Sequence, residues 1–232
     1  MNNIDERIVY EDNHIIIINK LAGELVQGDK TGDKSLADKT KEYIKKKYNK
    51  PGNVFLGVVH RLDRPVSGLV ILAKTSKSLV RLNKMLKEGK IKKTYLAIVE
   101  KEPPKQNDIL IDYLLKNQRQ NKTYIASKTK KGVKEAKLKY RLIGKSNNYF
   151  LLEVEIFTGR HHQIRAQLSN IGCVIKGDLK YGAKRSNPDG GIDLLAYKLE
   201  FVHPVKKEKL TFFTRLPNNK LWSFFADKVL NK

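Results

Sequence analysis

The chain has 232 residues, with Lys+Arg 47 against Asp+Glu 24 and a net charge of +23. That length can bury a sizeable core unaided, and that charge points to an anionic partner. A lone cysteine, Cys173, excludes an internal disulfide framework and a Cys-only zinc cluster.

From the N-terminus, His14 to Asn19 is a β-branched run followed by Gly23 and Gly28, which predicts a buried strand entering a turn-rich loop. Leu36, Tyr43, Ile44 and Tyr48 fall at helical spacing, with Ser35 as the cap and Pro51-Gly52 as the stop. Val54–Val59 and Gly68–Ala73 read as strands around the polar loop His60-Arg61-Leu62-Asp63-Arg64-Pro65-Val66-Ser67. Ser76 is expected to cap a helix carrying Leu79, Leu82, Met85 and Leu86 inward, closed by Gly89. Thr94–Val99 resumes strand. From Ala136 to Phe157 the period becomes two, around a turn at Lys145 to Asn148, which predicts an antiparallel hairpin. A short helix holds Ile164, Leu168 and Ile171. Leu194–Val202 reads as the last strand, and Leu221, Trp222, Phe225 and Val229 mark a C-terminal helix. Glu102 to Lys105, Lys116 to Lys131 and Lys184 to Gly191 read as soft connections. The class is α+β, a mixed, mainly antiparallel sheet with flanking helices in a single domain spanning residues 1–232.

No stretch approaches the roughly 18 to 20 apolar residues of a membrane span, and Met1 to Glu6 is polar, so a cytoplasmic protein is expected. The lysines are scattered over many elements rather than along one amphipathic face, which favours nucleic acid over a membrane surface.

Two clusters could carry chemistry. Asp63 lies between Arg61 and Arg64, whose charges favour its carboxylate, so it reads either as a turn cap or as a nucleophile or base. In Gly159-Arg160-His161-His162-Gln163-Ile164-Arg165, Arg165 near a helix start opposes the dipole and needs an anion, RNA phosphate or Asp63 itself. His60 with Asp63, and His161 with His162, lack the spacing of metal ligands. Phosphate-loop and dinucleotide fingerprints are absent, so neither a nucleotide cofactor nor a metal is expected. Tyr95, among Lys92, Lys93 and Thr94, is a sheet tyrosine or a platform for an extruded base.

Together these segments resemble the RluA-type RNA pseudouridine synthases from about Asp12 to about Leu216. The matching stretches are Asn19 to Gly23, His60 to Leu69, Lys93-Thr94-Tyr95-Leu96-Ala97, Thr158 to Arg165, Gly177-Asp178 with Tyr181-Gly182, and Leu194 to Pro204. The resemblance implies isomerisation of a uridine inside ribosomal RNA or tRNA, without cofactor or metal. It implies Asp63 as the catalytic aspartate, Arg165 as its ion-pair partner and Tyr95 as the aromatic beside the target base. Arg61 would enter the RNA stack, Arg64 would contact RNA, and Leu194 would touch the uracil. Leu21, Val66, Gln167 and Leu195 depart from the usual residues at their positions and bear on RNA preference. A monomer without an S4-like RNA-binding module is expected, with Lys116 to Lys145 as a docking surface. The rival reading is a non-catalytic RNA-binding or ribosome-assembly protein on the same fold. Such a protein should have lost Asp63 or Arg165, and both are present.

Overall fold

The computed structural model describes residues 3–29 and 32–230, the last two by backbone alone. Met1, Asn2 and the Val229 side chain lie outside the described residues. Residues up to Ile91 with Lys198–Thr214 form one compact unit, and Lys92–Tyr197 with the chain from Arg215 onward form a second. In both, mainly antiparallel strands are flanked by a few helices.

The first unit begins with β1 (Ile8–Glu11) and β2 (Ile15–Lys20). Four consecutive isoleucines put branched side chains on both faces of β2, and all four are fully buried. Antiparallel pairing with β4 (Ser67–Ala73) sets Ile15 opposite Ala73 and Lys20 opposite Gly68. Helix α1 (Leu36–Lys47) starts with a capping box between Ser35 and Asp38, and Lys45, Lys46 and Lys47 suit the negative end of its dipole. The strand expected at Val54–Val59 shrinks to β3 (Gly57–Val58). A Cβ at Gly57 would come within 2.6 Å of Leu79, so the segment is shaped by close approach of helix α2 (Ser76–Lys87). The cap of α2 is Thr75, whose hydroxyl accepts from the Ser78 N–H, and Ser76 is already helical. Leu82 is buried, whereas Leu79, Met85 and Leu86 are only partly so. Strand β10 (Leu194–Val202) lends its second half to this unit, where it pairs with β11 (Lys209–Phe213).

Glu11 fastens these pieces. Its carboxylate accepts from Lys47 at 2.8 Å, Lys74 at 2.7 Å and the hydroxyls of Tyr43 and Tyr48 at 2.9 Å. Burial opposes its charge, but these hydrogen bonds win and hold the carboxyl at about 2. Tyr48, expected on the apolar face of α1, is exposed and contributes mainly its hydroxyl.

In the second unit the strand order is β5 (Lys92–Val99), β9 (Phe150–Ile156), β8 (Lys134–Lys145), β6 (Asn107–Asn117) and β7 (Lys122–Ile125), all antiparallel. The hairpin predicted from the two-residue period is β8–β9. The stretch read as a soft connection at Lys116 to Lys131 instead carries the end of β6 and all of β7. Tyr181 fixes it there, because its hydroxyl donates to Thr123 O at 3.0 Å and accepts the Thr123 N–H at 2.9 Å. Leu96, Ile98, Leu151 and Leu195 pack with Trp222 and Phe225 of helix α4 (Lys220–Leu230). The Trp222 indole N–H donates to Asp193 at 2.8 Å, which anchors α4 beside the start of β10.

Candidate active site

The Asp63 loop is held from beneath by Lys20. This lysine ends β2, is fully buried, and its Nζ donates to the carbonyls of Leu21 at 2.9 Å, Arg64 at 3.0 Å and Val66 at 2.6 Å. Burial pulls its pKa down to about 7, although the charges of Glu24 and Asp63 oppose the fall. Three backbone carbonyls around one ammonium leave the loop little freedom, and the Val66 N–H to Asp63 O bond at 3.0 Å closes it as a turn. Glu24, which accepts from Arg7 and Lys39, stands nearby as a partly buried counter-charge.

Asp63 itself is partly exposed and Arg61 is exposed. Arg64 is already engaged, donating to Gly23 O at 2.9 Å and to Asp33 at 2.8 Å. Its guanidinium therefore pins the neighbouring loop as well as presenting charge. His60 Nε2 accepts the Ile71 N–H at 3.2 Å, which commits that nitrogen to the backbone.

In the second unit Tyr95 sits on β5 opposite Val154 and is buried. Arg165 lies in the first turns of α3 (Gln163–Asn170), as its position after His161 suggested. It pairs with Asp178: Nε donates to Oδ2 at 2.7 Å and Nη2 to Oδ1 at 2.8 Å, a two-pronged pair with side chains 4% and 1% exposed. The Tyr181 ring lies 5.0 Å from the guanidinium carbon. This carboxylate carried no assigned role in the sequence. Its signal was a buried cation that needed a partner, together with an aspartate in a matching stretch. Asp178 follows Gly177, whose φ of +87° and whose Asn187 neighbour, 2.8 Å from any added Cβ, leave room for no side chain.

His161 and His162 stack with ring centres 3.8 Å apart. His161 Nδ1 meets the Thr123 hydroxyl at 2.8 Å and His162 Nδ1 the Tyr181 hydroxyl at 3.0 Å. Since the Tyr181 proton goes to Thr123 O, His162 Nδ1 is the donor to that oxygen. Burial first, and then the Arg165 charge, push His162 down to about 2, so it stays neutral. Both rings brace α3 against β7. Among the described residues no group of three or more His, Cys, Asp or Glu side chains is placed to hold a metal ion. Leu194 is buried at the start of β10, and the Ile98 N–H donates to the carbonyl just before it, linking it to Tyr95's strand. Gln167 is buried and its amide reaches Asp112 at 2.7 Å and the carbonyls of Leu110 and Ala136 at 3.3 Å, tying α3 to β6 and β8.

The RNA pseudouridylate synthase family profile matches residues 14–170, which takes in the Asp63 loop, Tyr95 and Arg165. The chain belongs to that family. A ribosomal large subunit pseudouridine synthase C of Buchnera aphidicola is 36% identical over 215 residues, 90% of this chain and 66% of the relative. A synthase D of Zymomonas mobilis is 30% identical over 235 residues, 97% of this chain and 74% of the relative. The chain thus spans about two thirds to three quarters of the length of these pseudouridine synthases. Human RNA pseudouridylate synthase domain containing 4 shares the fold, with a TM-score of 0.78 at 21% identity, covering 98% of this chain and 93% of that one.

Proposed function

We propose that this chain isomerises uridine to pseudouridine in large-subunit ribosomal RNA. The observation that carries the reading is the family match across an intact set of Asp63, Tyr95 and Arg165, joined to two relatives named as ribosomal large subunit synthases. The reaction breaks the bond from C1′ to N1, turns the freed uracil and joins C1′ to C5, with release of the C5 proton. Asp63 supplies the carboxylate, by attack on C1′ or by removal of the C2′ proton. Arg165, already oriented by Asp178, is assigned as its cationic partner. Tyr95 and Leu194 are assigned to the base, Arg61 to the vacated RNA stack, and Arg64 to phosphate contacts. Lysines of the β6–β7 hairpin and of β8, with the overall charge of +23, grip the backbone. No cofactor is required. A cytoplasmic monomer acting as one catalytic domain completes the proposal, and among the described residues no helix is long and apolar enough to cross a membrane.

The test is tritium release from an in-vitro transcript of large-subunit ribosomal RNA labelled at C5 of uridine. Asp63→Asn is nearly isosteric and should bind RNA normally while releasing no tritium. Release at about a tenth of the wild-type rate or more would remove Asp63 from its role. EDTA should leave release unchanged.

A further inference from the structure

Lys93 stands apart from the other well-covered lysines. Lys20 donates to three carbonyls, Lys74 is paired with Glu11, and Lys176 is bonded to Asp193 and Asn187. Lys93 is also partly buried, yet among the described residues no carboxylate, carbonyl or hydroxyl accepts from it. Its position is well defined. It precedes Tyr95 by two residues on β5, so both side chains leave the same face of the strand. The register that sets Thr94 opposite Glu155 continues to Ile156 across from Lys93, and Ile156 in turn pairs with buried Leu138. Its cross-strand neighbours on that side are therefore apolar. Its Nζ lies 3.7 Å from where a Cβ of Gly159 would stand, so the residue above the ammonium, in the turn before α3, is one without a side chain. Loss of water alone lowers its pKa, with no protein charge offsetting that loss.

We propose that Lys93 is a subsite for a phosphodiester of the substrate RNA next to the nucleotide that Tyr95 receives. The inference rests on the isomerase reading above and adds to it an RNA contact on the strand of Tyr95 itself. An ammonium without a protein anion is stabilised by a permanent charge brought by the ligand. A nucleotide against Tyr95 brings its phosphates within about two residues' rise along the strand, roughly 7 Å. The uncovered Gly159 position gives that group a path to Nζ. An ordinary surface lysine would instead lay its stem on Ile156 and extend its head into water.

The experiment measures RNA affinity against salt, the single-turnover rate at saturating RNA and the melting temperature for wild type, Lys93→Met and Lys93→Arg, on the same transcript. Lys93→Met should bind about 10- to 100-fold more weakly, the loss of one charge-assisted contact. Its salt slope should be shallower by about 0.7 to 0.9, one released counterion. The saturating rate should stay within about threefold of wild type, and Lys93→Arg should recover most of the affinity. The Met variant should melt at or above the wild-type temperature, because a poorly solvated charge has gone. Unchanged affinity and slope would overturn the subsite. So would a loss confined to the saturating rate, since the ammonium would then serve the departing uracil. A lower melting temperature in both variants would overturn it in favour of a structural lysine. If wild type releases no tritium while the binding results hold, the isomerase reading fails and the RNA contact at Lys93 stands.

Discussion

Asp178→Asn is the most informative single change in the second unit. The substitution keeps the shape of the side chain and removes one negative charge from a site where neither partner sees solvent. Arg165 then remains buried without the carboxylate that its Nε and Nη2 reach. One of its two N–H donors, now bonded at 2.7 and 2.8 Å, would face an amide NH2 in place of an oxygen. Breaking one side of a buried pair costs about 3–5 kcal/mol. For a chain of this size that is a fall in melting temperature of roughly 6–20 °C. The Tyr181 ring still covers one face of the guanidinium and lessens the loss, which places the expected value near the lower end, about 3 kcal/mol. The diagnostic step is the double variant Arg165→Met with Asp178→Leu. Replacing both charges with apolar groups should restore stability to within about 1 kcal/mol of wild type, while tritium release should be lost with the cation proposed above for Asp63. Thermal melting and single-turnover release on the same preparations give both readouts. The reasoning is refuted if Asp178→Asn melts within about 2 °C of wild type, or if the double variant stays as unstable as the single one.

Two further outcomes are expected. Arg61→Ala should slow isomerisation most where the target uridine is stacked in a stem and least in a flexible single strand, because extruding a stacked base costs a few kcal/mol that a guanidinium in the gap offsets; an equal loss on both substrates, in paired single-turnover rates, would place Arg61 in the chemistry instead. Glu11→Gln should destabilise the first unit at neutral pH, and the sign of its pH dependence follows from a folded pKa of about 2 against the ordinary 4.5: the wild-type advantage is fully present above 4.5 and disappears as pH falls from 4.5 to 2. Urea titrations of both proteins at pH 6 and pH 3 check it, and an advantage that is the same at both pH values would contradict the assigned role of the carboxylate.

Much of the scaffold was legible because its signals are local. The four isoleucines of β2, the two-residue period of β8 and β9, and the Ser35 cap each specify their element within a few residues. The β6–β7 hairpin was hidden because Ile109 and Ile111, which alternate as a strand should, point their apolar side chains outward and are exposed. Its pairing is decided by β8 alongside and by Tyr181, about 58 residues from Thr123 in sequence. β11 follows the same rule, since Leu210 and Phe212 find their partners on β10. At the site, Asp63, Tyr95 and Arg165 stood out by residue type and order, and the roles expected of them came from the family resemblance. Asp178 and Lys20 were not legible as supports, because neither bears a pattern of its own; each is recognised only when the charge or the carbonyls it serves are in place.

The two supports, one in each unit, work by opposite means. Lys20 is a cation held among three carbonyls, one for each N–H of its ammonium, so the full set of bonds that positions the Asp63 loop needs the protonated form even though burial pulls its pKa to about 7. Arg165 keeps its charge at every relevant pH, and its orientation is set by a carboxylate as buried as itself. A buried ion pair adds little to stability compared with an apolar pair of the same volume. A buried pair at this position, braced by the stacked His161 and His162 and by Tyr181, therefore fits the role proposed for the guanidinium better than a contribution to the fold. Lys93 differs in one respect: among the described residues no protein anion accepts from it, and on the proposal above the RNA supplies that anion.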